Sequence, residues 1–150
     1  MRPLEAAWYL LLVLLVAQRL PESSCMDNDN YRYRHFLSQH YDNPKSSFSG
    51  KYCNAIMSKR DLTRPECKDT NTFIHGTKKK IKAVCTDGGV PYGDQQRSKN
   101  YFRVTTCTLQ GIPTHHPCKY RENTTPRYIV IGCDGDWPVH YDESQIVTTV

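Results

Sequence analysis

The chain has 150 residues, 38% hydrophobic and 23% charged, with a formal net charge of +5. That length suits one domain with a modest core rather than several. The positive balance suits an anionic partner, whether nucleic acid, a heparin-like polymer or an anionic membrane, and does not choose among them.

Arg2 precedes an apolar run, Ala7 to Ala17, and a polar stretch ending in small residues follows it. The run is shorter than the roughly 20 apolar residues a helix needs to span a bilayer. Residues 1–25 therefore read as a secretory signal peptide, and residues 26–150 as a single domain. Of the seven cysteines, Cys25 falls in the leader. The other six, Cys53, Cys67, Cys85, Cys107, Cys118 and Cys133, read as a disulfide framework whose pairing the sequence leaves open. The leader holds as many acidic as basic residues, so the domain keeps the whole positive charge.

From Asp29 the chain reads as a helix, with Tyr33, Phe36, Leu37, His40 and Tyr41 on one face. His40 is thereby turned inward. "NPKSSFSG" reads as a loop, and a second helix is expected from about Lys51 to Lys59 with Tyr52, Cys53, Ile56 and Met57 along one side. Downstream the period shortens to two, at Ile81, Ala83 and Cys85 and at Phe102, Val104 and Thr106, while "YIVIGC" is β-branched. "DGGVPYGD" reads as a turn-rich surface loop. In the last strand Trp137, Val139 and Tyr141 face one way, His140 and Asp142 the other. Helices first and strands after imply an α+β domain with an antiparallel sheet.

Six histidines are available: His35, His40, His75, His115, His116 and His140. His40, directly after Gln39 on an apolar helix face, and His140, sharing a strand face with Asp142, stand out by context. No CxxC or HExxH spacing supports a metal site, and no GxSxG supports a serine nucleophile. No cofactor is expected. What remains is acid–base chemistry with cationic help, the set that transfer of an RNA phosphodiester to its own 2′-hydroxyl requires. Asn123-Thr124-Thr125 is an N-glycosylation sequon, with Pro126 directly after it.

"CKDTNTF" (Cys67 to Phe73), "HFLSQHYD" (His35 to Asp42) and "PVHYD" (Pro138 to Asp142) together resemble the three active-site segments of the pancreatic-type ribonuclease superfamily. The similarity runs through nearly all of residues 28–144. "RHFLSQHYD", "KDTNTFIHG", "VTTC" and the reduced set of framework cysteines resemble a branch of that family whose members also act as growth signals for blood vessels.

The resemblance implies a ribonuclease A-like fold, three helices on a bent antiparallel sheet, with Cys53–Cys107, Cys67–Cys118 and Cys85–Cys133 paired. It implies His40 as base, His140 as acid and Lys68 as the transition-state cation. Gln39, Thr72, Tyr141 and Asp142 become substrate-binding residues, with Thr72 reading a pyrimidine edge and Asp142 orienting His140. The implied activity is secreted, metal-independent cleavage of single-stranded RNA 3′ of pyrimidines to a 2′,3′-cyclic phosphate, by a monomer. A cell-surface receptor and a ribonuclease inhibitor are the implied further partners, with uptake to the nucleus or nucleolus, while heparin-like glycans are expected from the positive charge and the lysines at 78–80.

The chain departs from its branch in three places. Glu143 stands where a glutamine closes the pyrimidine pocket. "SKRDL" (Ser58 to Leu62) is a thinned basic import tract, and "DGGVPYGDQQ" differs from the cell-binding loop. Two rival readings remain: a signalling ligand with vestigial catalysis, and a cationic host-defence protein acting on membranes.

Overall fold

The computed structural model describes residues 26–149, with side-chain surroundings from residue 31 onward. The expected signal peptide and Cys25 lie outside the described residues. The chain divides after Asn30, and the unit formed by residues 31–150 carries the features that follow.

Helix α1 runs Met26–His40, α2 Tyr52–Lys59 and α3 Lys78–Ala83. Seven strands interleave with them: β1 Thr70–Ile74, β2 Gly89–Tyr92, β3 Gln95–Ser98, β4 Phe102–Leu109, β5 Tyr120–Arg127, β6 Val130–Asp134 and β7 Trp137–Tyr141. They form two antiparallel sheets, ordered β1-β4-β5 and β2-β3-β6-β7. The fold is the expected α+β arrangement of three helices with antiparallel sheet.

The β1-β4-β5 sheet is covered on both faces, and this decides where the site sits. Ile74 and Val104 join Phe36, Ile81, Ile129, Ile131 and Tyr141 in one core. Phe73 and Cys107, pointing the other way, join Tyr52, Ile56 and Met57 of α2 in a second core. The predicted inner face of α2 is the buried one. Along α1, Phe36 and His40 are buried while Tyr33 and Leu37 pack at the core's edge.

Three disulfides fasten these layers: Cys53–Cys107 joins α2 to β4, Cys67–Cys118 joins the segments leading into β1 and β5, and Cys85–Cys133 ties the end of α3 to β6. Each separates its partners by 48 to 54 residues. Loops of that size correspond to about 4 kcal/mol apiece in the chain-entropy account.

Two expectations fail. The alternation at Ile81, Ala83 and Cys85 is not a strand: Lys78–Ala83 is helical, with the Thr77 hydroxyl accepting from the Lys80 N–H at its start. A single buried side chain, Ile81, anchors this short helix, so a two-residue period there carried no information about a sheet. "DGGVPYGD" is not a loop throughout either. Tyr92 and Gln95 pair across Gly93-Asp94, with Gly93 at φ +63°, closing the β2–β3 hairpin.

Candidate functional site

His40 is the last residue of α1 and is almost fully buried. Its Nδ1 lies 2.8 Å from the carbonyl oxygen of Thr72 in β1. A carbonyl only accepts, so Nδ1 carries the proton and Nε2 keeps its lone pair. The ring is held between Phe36 and Tyr141, each with its centroid 5.3 Å away. Burial lowers the His40 pKa to about 3, the Thr72 bond opposing it and the positive charge of Lys68 adding to it. The imidazole is therefore neutral over the physiological range and able to take a proton.

Lys68 stands just before β1, anchored by the adjacent Cys67 disulfide. Its Nζ donates to Asn71 Oδ1 at 2.8 Å, and Asn71 Nδ2 donates to the Gln39 carbonyl at 2.8 Å. Asn71 thus fastens the lysine to the end of α1 one residue from His40. Burial lowers the Lys68 pKa, while Glu143 works against the shift. The Gln39 side chain is half-buried beside this link. Asn71 is a positioning residue that the sequence reading passed over, although it is the fixed asparagine of the "NTF" motif.

Thr72 serves two functions. Its carbonyl holds His40, while its N–H and hydroxyl both donate to Glu143, at 2.7 Å to Oε1 and 2.6 Å to Oε2. The Thr106 hydroxyl lies 3.1 Å away on the neighbouring strand. The two groups expected to read a pyrimidine edge are therefore occupied. The Glu143 carboxylate is 22% exposed and 3.9 Å from His40 Nδ1. Its pKa is raised by burial, against the pull of the Thr72 bonds and of Lys68 and Arg127.

Beside Glu143 lies a cavity of about 360 Å³, lined among others by Thr72, Thr106, Asn123, Arg127 and Tyr141. Arg127 is only 9% exposed, and its Nε has no hydrogen-bond partner among the described residues. Sequence reasoning missed Thr106 and Arg127, whose relevance arises from the pairing of β4 with its neighbours.

His140 is exposed on β7, opposite Gly132 of β6. A Cβ at Gly132 would stand 3.0 Å from His140 Cβ, so glycine gives the histidine its room. Asp142 does not hydrogen-bond His140. Its carboxylate accepts from the Ser144 N–H at 3.0 Å and the Ser144 hydroxyl at 2.5 Å, which lowers its pKa. His140 and Lys68 both bear electrostatically on His40, so the three groups share one neighbourhood.

Other candidate groups lie elsewhere. Lys78, Lys79 and Lys80 are exposed on α3. Arg60, half of the thinned basic tract, instead donates to the Ser38 and Tyr41 carbonyls at 2.8 Å each, capping the end of α1. Cys67, His116 and Cys118 cluster closely enough to suggest a metal site, but the two sulfurs are bonded to one another and the donor set does not fit. Among the described residues, no helix is long and apolar enough to cross a membrane.

Residues 31–142 match the pancreatic ribonuclease family. The chain is similar to angiogenin of Sus scrofa, 48% identical over 93% of this chain and 95% of that one. It is also similar to angiogenin-4 of Mus musculus, 52% identical over 78% and 81%. Among solved structures it resembles green turtle egg white ribonuclease, with a TM-score of 0.71 and 43% identity over 75% of this chain and 97% of that one. Zebrafish RNase5 gives 0.69 and 39%, covering 83% and 99%. With the three disulfides, two antiparallel sheets and motif order already described, these likenesses lead to one conclusion: the chain belongs to the pancreatic ribonuclease family and is most like the angiogenins within it.

Proposed function

We propose that the protein is a secreted ribonuclease that cleaves single-stranded RNA on the 3′ side of pyrimidines by a two-histidine transesterification. The observation carrying this reading is the bond from His40 Nδ1 to the Thr72 carbonyl, because it leaves Nε2 unprotonated next to a cation. In the proposed step Nε2 takes the proton of the 2′-hydroxyl, and O2′ attacks phosphorus. The P–O5′ bond breaks, and protonated His140 gives its proton to O5′. Lys68 balances the charge that gathers on the phosphoryl oxygens. The products are a 2′,3′-cyclic phosphate and a free 5′-hydroxyl. A strand lacking 2′-hydroxyls has no nucleophile and stays intact.

The test is a deoxy oligonucleotide with a single pyrimidine ribonucleotide, incubated across pH with the protein and with His40→Ala. The expected result is cleavage at that nucleotide, reduced about 10²- to 10⁴-fold in the variant, the usual contribution of a general base. The acid limb of kcat/KM should fall below the ordinary imidazole value of 6.5, because burial lowers the base. Equal cleavage by the variant would overturn the assignment.

The Glu143 clasp favours weak turnover and keeps a second reading open, a secreted signalling or antimicrobial protein with vestigial catalysis. A His140→Ala variant that retains full activity on cells or bacteria would select that reading. Nuclear uptake is the least supported expectation, since Arg60 is engaged in capping α1. The leader-like residues 1–25 support secretion.

A further inference from the structure

We propose that Asn123 carries an N-linked glycan whose first sugars stand over the rim of the base-recognition pocket and restrict the RNA that can enter it. The inference rests on the secreted ribonuclease reading above. Asn123-Thr124-Thr125 is an acceptor sequence in a chain with a leader-like start. The strand register determines what such a glycan would do. Thr72 pairs with Thr106 on β4, and Thr106 pairs with Asn123 on β5. Residues directly opposite one another point to the same face of a sheet, so the three side chains form one row. Two interstrand spacings separate Asn123 from Thr72, about 10 Å.

Asn123 is exposed, lines the same cavity as Thr72, Thr106 and Arg127, and its side-chain amide makes no hydrogen bond among the described residues. It lies on β5, an edge strand, so nothing in its own sheet covers it from beyond. Its Nδ2 would displace the pyrophosphate from the anomeric carbon of a lipid-linked oligosaccharide, forming the C–N bond and losing one N–H proton. The first sugars of the core add bulk without charge. Long RNA, which must run past the rim on both sides of the cleaved nucleotide, should be hindered more than a dinucleotide.

The test expresses the full chain with its own leader in a mammalian secretory line, beside Thr125→Ala and Thr125→Ser. The expected result is a secreted protein whose mass falls on treatment with peptide N-glycosidase, a modification kept in Thr125→Ser and absent from Thr125→Ala. The glycosylated form should cleave polyuridylate several-fold more slowly than Thr125→Ala, while the two cleave a uridine-containing dinucleotide alike. Secretion without a glycan overturns the proposal alone, and would point to Pro126 as the obstacle. Equal rates on polyuridylate overturn the gating half. A chain retained in the cell overturns the secretory reading and the proposal with it. Mass reports the modification whether or not RNA is cut, so an inactive but glycosylated protein would fail the ribonuclease reading and the gate, and leave the modified site standing.

Discussion

Two halves of one cleft differ in readiness, and they meet at Thr72. On the proposed catalytic side the base and the cation are fixed: the Thr72 carbonyl holds His40 in one tautomer, and Asn71 fastens Lys68 to the end of α1. On the recognition side the donors of the same residue are occupied by Glu143. A ligand entering the pocket must displace a carboxylate bonded twice, whereas a proton moving to His40 needs no rearrangement. Chemistry and recognition therefore use different atoms of Thr72, and Glu143 bears on the proposed catalytic groups only through charge, at Lys68 and His40.

The largest effect on the catalytic half, short of removing a reacting group, should come from Asn71→Ala. It frees the Lys68 ammonium and leaves the Gln39 carbonyl without its partner in a half-buried setting. An unpaired buried polar group costs about 1–3 kcal/mol. We expect turnover to fall by tenfold or more with thermal stability also reduced, and Asn71→Asp to restore the bond to Lys68 but not that to Gln39. Full turnover in Asn71→Ala would mean that Lys68 needs no support.

A smaller effect is expected at Gly132→Ala. The added methyl would meet His140 Cβ at 3.0 Å, and since Cβ moves only with the backbone, β7 must give by a few tenths of an ångström and carry the histidine with it. We expect a lower kcat with KM little changed, because the proposed acid is displaced while the recognition side is untouched. A crystal structure with His140 unmoved and kcat intact would remove the glycine from the account.

The smallest effect is on stability. His40 is neutral and lowered when folded, so its contribution is present above its unfolded value of 6.5 and is lost as pH falls toward about 3. Glu143, raised by burial, works in the opposite sense, favouring the fold when protonated. His75 is lowered by burial as well, so urea unfolding between pH 6.5 and 4.5 should show stability declining by less than about 2.7 kcal/mol per pH unit, the limit for two protons. Glu143→Gln should steepen that decline, and His40→Ala should flatten it.

Much of this was legible in the sequence where periodicity and motif agreed. The apolar face of α1 turned His40 inward, and the inner side of α2 was read correctly. The disulfide pairing came through family resemblance, since spacing alone could not choose it. β1 was not recognisable as a strand because it is buried on both faces, with Asn71 and Thr72 satisfied by hydrogen bonds instead of alternating with apolar residues. The β2–β3 hairpin was hidden by the proline within β2 and the polar run of β3, although Gly93-Asp94 is a recognisable two-residue turn. Glu143 was visible as a substitution, but its double bond to Thr72 depends on how the segment after β7 returns over β1.

The most direct test of the separation is kcat/KM for uridylyl-3′,5′-adenosine, measured for the protein and for Glu143→Ala side by side. Freeing both donors of Thr72 should raise it by at least about tenfold, equivalent to ~1.4 kcal/mol, with the His40-dependent pH profile retained. An unchanged or lower value would contradict the account, because Glu143 would then not be what keeps the recognition half closed.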